Sequence, residues 1–129
     1  MTKCEDRAGT IEFEQNGETF LRYQAETETR NPHVDVLAIP PGSNGPSGYN
    51  TVLAAPHDHQ WHLGLFFCQK LVDGINCWAP REDYKQGTPV GVGESVDYEI
   101  TETDRTFSVT QTVRWTTDSE QLLDDQREL

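Results

Sequence analysis

The sequence predicts an all-β, antiparallel fold of the β-sandwich class. Three observations carry this. Apolar and polar residues alternate with period two in "ESVDYEI" and "TFSVTQTVRW". Asn16-Gly17 and Asp73-Gly74 lie between alternating runs, where a two-residue type I′ hairpin turn needs such pairs. No stretch shows a sustained helical period, and the long connections are rich in Pro and Gly.

Taken in order, "TIEFEQNGETFLRY" reads as a hairpin turning at Asn16-Gly17, a register that sets Phe13 opposite Phe20. "HVDVLAI" is a short strand stopped by Pro40-Pro41. "PPGSNGPSG" (40–48) is a loop or flap, and "YNTVLAA" is a candidate strand ended by Pro56. "HLGLFFCQKLVDGINCW" reads as a second hairpin, turning at Asp73-Gly74. That register sets Lys70 opposite Cys77 and Cys68 opposite Ala79. Cys68 and Cys77 are then diagonal neighbours about 7–8 Å apart, too far for an unstrained disulfide. "APREDYKQGTPVGVG" is a second long loop.

Val96, Tyr98 and Ile100 are expected on one strand face. Phe107, Val109, Val113 and Trp115 share another, with Thr103-Asp104 near the turn between them. The last stretch, "TTDSEQLLDDQREL", fits a strand start or a short helix. Trp78 and Trp115 are expected in the core. The 129 residues suit one β-domain, residues 1–129, with room for a buried core.

Composition bounds the function. The net charge is −12, which opposes binding to a phosphate backbone or an anionic membrane surface. Acid is spread along the chain, with seven acids against four bases in residues 1–30 and seven against three in 101–129. Seven Arg and only three Lys among the bases suggest a halophilic protein of a salt-rich cytosol, where screening blunts self-repulsion. The three cysteines, Cys4, Cys68 and Cys77, make no C-x-x-C and no disulfide framework. No apolar run approaches the roughly 20 residues that span a bilayer, and "MTKCEDRAGT" has no apolar signal core, so the expected location is cytoplasmic.

Chemistry concentrates in "HDHQWHLG", residues 57–64, which holds three of the four histidines. If 57–62 is extended, His57, His59 and Trp61 point one way, and Asp58, Gln60 and His62 the other. The H-x-H pair could chelate a single divalent metal, with a further ligand from His33, Asp35 or Glu94. Acid/base chemistry needs no metal: a histidine oriented by Asp58 can move protons, and Trp61 offers an apolar wall to a sugar ring or an aromatic ligand. The plainest alternative is that the histidines bond backbone groups where loops meet. Arg81 and Tyr84 could line a nearby cleft, and Arg30 could bind a carboxylate or hydroxyls, although a solvated surface is the plainer reading of both arginines.

"NPHVDVLAIPPG" followed by "DHQWHLGLFFCQKLVDGINCW" resembles the PmoA-like family of bacterial and archaeal proteins. Those carry R-P-Y-x-Y-P-x-x-x-P-x-G, then D-H-x-H-H-x-G-L-W-F, then V-N-G-x-D-F-W. The matching positions are Pro32, Pro41, Gly42, Asp58, His59, His62, Gly64, Leu65, Phe67, Val72, Gly74 and Trp78. Asn31 replaces the family's arginine, Trp61 the first histidine of its H-H pair, and Gln69 a histidine common after its W-F-G. Family members are longer. The resemblance implies that this chain is an N-terminal half, part of whose core would face solvent or pair with a second copy or a missing C-terminal half. The name invokes methane oxygenase, whose particulate form has membrane-spanning subunits, and nothing here spans. The resemblance implies instead a β-sandwich, part of a galactose mutarotase-like supersandwich, linked to carbohydrate metabolism.

Three functions follow. The first, preferred, is sugar binding or acid/base chemistry on a sugar. His59, His62 and Asp58 would be catalytic, and His33, His57, Trp61 and Arg81 would bind the ligand. It requires no metal. The second is a metal-dependent oxygenase or hydrolase using His57, His59 and His62. The third is a non-catalytic binding or partner module.

Overall fold

The structure is a computed structural model that describes residues 2–27, 31–40, 42–44, 48, 50–52, 57–58, 62–68, 71–78 and 89–129. The described residues are all-β, with three antiparallel sheets, the class expected of a β-sandwich, and contain no helix. The chain divides into two compact units. The first comprises Met1–Glu26 and His33–Phe66, the second Thr27–Pro32 and Phe67–Leu129.

The first unit is built on a four-stranded sheet of consecutive antiparallel neighbours: β1 (Thr2–Arg7), β2 (Thr10–Gln15), β3 (Glu18–Gln24) and β4 (His33–Leu37). The turn at Asn16-Gly17 has φ of 54° and 84°, the doubly left-handed backbone of a type I′ turn. Ala8-Gly9, joining β1 to β2, has the same signature, and Asp6 Oδ1 accepts the Gly9 N–H at 3.0 Å. The expected pairing of Phe13 with Phe20 is corrected. A bulge makes Phe20 an extra residue, and Phe13 stands opposite Leu21. β1 carries no apolar alternation, and Lys3, Glu5 and Arg7 alternate along it. Charges of this kind blunt a sheet edge against further pairing. Ile11, Phe13, Tyr23, Ala25 and Val34 form the buried side of the unit.

The second unit holds a two-residue-per-arm hairpin, β5 (Leu71–Val72) and β6 (Ile75–Asn76). It also holds a three-stranded sheet in the order β7 (Val92–Glu102), β8 (Phe107–Thr116) and β9 (Gln121–Glu128). Asp73-Gly74 turns the hairpin with φ of 49° and 81°. The arms are shorter than the sequence suggests, and Leu65 pairs with Val34 rather than extending the hairpin. Lys70 and Ala79, the expected partners of Cys77 and Cys68, lie outside the described residues. So do Tyr49 and residues 53–55 of the candidate strand "YNTVLAA", within which Asn50 makes a single bridge to Ala38.

Two bulges adjust the three-stranded sheet. At the first, Ser95 pairs with Val113 and Asp97 with Thr112, leaving Val96 as the extra residue. Val96 is therefore 46% exposed and does not share the face of Tyr98 and Ile100 as expected. At the second, Trp115 pairs with Leu123 and Thr116 with Gln121, so both Leu122 and Leu123 pack on the core of Cys77, Val113 and Trp115. "QLLDDQRE" is thus a strand; the sequence had left strand and helix open. Trp115 is fully buried, but Trp78 is 37% exposed and is not a core residue.

Arg127 ties the second unit together. Its Nε donates to Asp125 Oδ1 at 3.0 Å, and its NH2 donates to the Phe67 carbonyl at 3.2 Å. Its NH1 donates to the Pro32 carbonyl at 3.4 Å. The guanidinium lies 5.7 Å from the Phe67 ring centroid and 5.9 Å from that of Trp115. Asp125 Oδ2 in turn accepts the indole N–H of Trp115 at 2.6 Å. This satisfies the one polar atom of a fully buried tryptophan.

Candidate functional site

The histidine segment belongs to the first unit, and its last residues meet β4. Leu65 N–H donates to the Val34 carbonyl at 2.9 Å, and Val34 N–H donates to the Leu65 carbonyl at 2.7 Å. This reciprocal pair fixes "HLGL" along the side of β4 not occupied by β3. Gly64 permits it. Its φ is +92°, and a Cβ there would collide with the Val34 carbonyl oxygen. Leu63 beside it is buried and acts as the anchor.

His62 is half-buried, its ring centroid 6.5 Å from that of Phe66 at an interplanar angle of 54°. His33 is buried at the start of β4, opposite Gln24 in register. The Val34–Leu65 bridge therefore has one histidine immediately before Val34 and another three residues before Leu65. A neutral imidazole donates from one nitrogen and accepts at the other, the two roles that a hydroxyl ligand requires.

Asp35 is committed elsewhere. Arg22 grips it with both nitrogens, Nε to Oδ1 at 2.9 Å and NH2 to Oδ2 at 3.0 Å, and Gln24 Nε2 donates to Oδ2 at 3.1 Å. Thr10 Oγ1 holds the Gln24 amide oxygen at 2.9 Å. Burial pushes the Asp35 carboxyl up. The hydrogen bonds from Arg22 and Gln24, with the charges of Arg22 and His33, outweigh burial and hold it below the ordinary aspartate value. A carboxylate so engaged orients β3 and β4, and is a poor metal ligand unless that grip is released.

The other sequence-selected residues divide in two. His57 and Asp58 are exposed in a turn. His59, Trp61 and Arg81, with Arg30 and Tyr84, lie outside the described residues. Among the described residues no group of three His, Cys, Asp or Glu is placed to hold a metal ion. Glu94 is in the second unit, in an open cleft of about 540 Å³ lined also by Ile75, Pro89, Val90, Val92 and residues 116–120. The sequence reading missed this cleft. The turn that shapes it is held by Thr117, whose hydroxyl accepts the N–H groups of Ser119 at 3.3 Å and Glu120 at 3.1 Å. The signal was present in "TTDSE", a Thr/Ser/Asp run suited to side-chain-capped turns.

The second unit also contains two free thiols. Cys77 is buried in the core and Cys68 packs against it. Burial, then the neighbouring Cys77, push the Cys68 thiol up to about 11. Burial raises Cys77 as well. Both stay protonated at neutral pH, which suits packing rather than nucleophilic chemistry.

The match of a family model to residues 10–129 decides the relationship. The chain belongs to a family of unknown function (DUF6807). The matched residues take in β2 to β9 and the whole histidine segment, and leave out β1. No curated protein and no solved structure matches the chain. Among the described residues no helix is long and apolar enough to cross a membrane.

Proposed function

We propose that this chain is a PmoA-like, carbohydrate-related protein that holds a neutral sugar at the histidine segment. His59 and His62 exchange hydrogen bonds or protons with ring hydroxyls, Asp58 orients one imidazole, and Trp61 supplies the apolar wall. The observation that carries this reading is the Val34–Leu65 bridge. It fixes the segment bearing His62 against the strand that begins at His33. Preorganised donors and acceptors beside an apolar surface are what a polyhydroxylated ligand selects. The net charge of −12 favours a neutral sugar over a phosphorylated or acidic one.

The test is calorimetric titration of neutral aldoses into wild type, His62→Ala and His59→Ala, with elemental analysis of the same samples. The reading predicts saturable binding to wild type and a loss of at least about tenfold in each variant, roughly 1.4 kcal/mol. Absence of binding with a cooperatively folded protein would refute it. About one metal ion per chain, lost in His59→Ala, would replace it with a metal site built on His57, His59 and His62.

A further inference from the structure

We draw no further inference here: the strongest candidate, the cleft of the second unit lined by Val90, Val92 and the 116–120 turn, carries the carboxylates of Glu94, Asp118 and Glu120 in an open lining, and no second feature of the structure points to what it would hold.

Discussion

Replacing Gly64 by alanine tests whether the histidine segment depends on its bridge to β4. At φ +92° an L-residue is strained, and its Cβ would be driven into the Val34 carbonyl oxygen. Left-handed backbone costs about 1–2 kcal/mol for a residue with a Cβ. Relieving the collision separates the strands and forfeits the two Val34–Leu65 hydrogen bonds, each worth about 1 kcal/mol net. The expected loss is about 3–4 kcal/mol. Gly17 supplies the control, since its φ is +84° but a Cβ there meets nothing within 4 Å. Gly17→Ala should cost the backbone strain alone, about 1–2 kcal/mol. Urea unfolding measures both costs. Amide exchange at Val34 and Leu65 locates the first: it should accelerate about 150- to 1000-fold in Gly64→Ala and stay near wild type in Gly17→Ala. Equal costs for the two variants, or unchanged exchange at Val34 and Leu65, would refute the reasoning.

Further outcomes follow from the same geometry. Arg127→Met leaves Asp125 without its ion pair beside Trp115. Since the two side chains keep 12% and 20% exposure, the loss should fall at or just below the usual cost of breaking a buried pair, about 2–4 kcal/mol, read from urea unfolding by tryptophan fluorescence. A loss under about 0.5 kcal/mol, typical of neutral surface changes, would show that Arg127 is not the tie described. Asp35 is held below its ordinary value, so its contribution is complete above the unfolded value of 3.8 and is lost as pH falls through the lower folded value. Asp35→Asn should therefore be less stable than wild type at pH 7, with the gap closing below about pH 4; a gap independent of pH would contradict the assignment. With its thiol pushed up to about 11, Cys68 should be alkylated by iodoacetamide at pH 8 at least about 100-fold more slowly in the folded protein than in urea. Peptide mass spectrometry reads this, and equal rates would remove the account of Cys68 as a packed, protonated thiol.

Much of the fold was legible because its signals are local. Asn-Gly and Asp-Gly turns encode their own backbone, and Val109, Val113 and Trp115 alternate as a buried strand face must. The sequence misled where one extra residue changes the phase. The bulges at Phe20 and Val96 each insert one residue and so change the phase of the alternation, which no residue type in the sequence marks. β1 stayed hidden because one face is charged (Lys3, Glu5, Arg7) and the other (Thr2, Cys4, Asp6) has no large apolar residue, a pattern set by edge pairing rather than by burial. Trp78 misled because a large aromatic suggests core by its size alone, whereas burial also depends on which neighbours reach it. At the site, the proximity of His57, His59 and His62 along the chain was legible. Their anchoring was not, because the Val34–Leu65 bridge joins residues far apart in sequence and depends on the backbone freedom of Gly64.

The most direct test of the central claim is to map a neutral sugar onto the chain by 1H–15N chemical-shift titration of wild type and His62→Ala. The account predicts saturable shifts at residues 62–66 and at His33 and Val34 in wild type, and their loss in a folded His62→Ala protein. No shift with any neutral sugar tried, or shifts confined to Val92, Glu94 and residues 116–120, would contradict it.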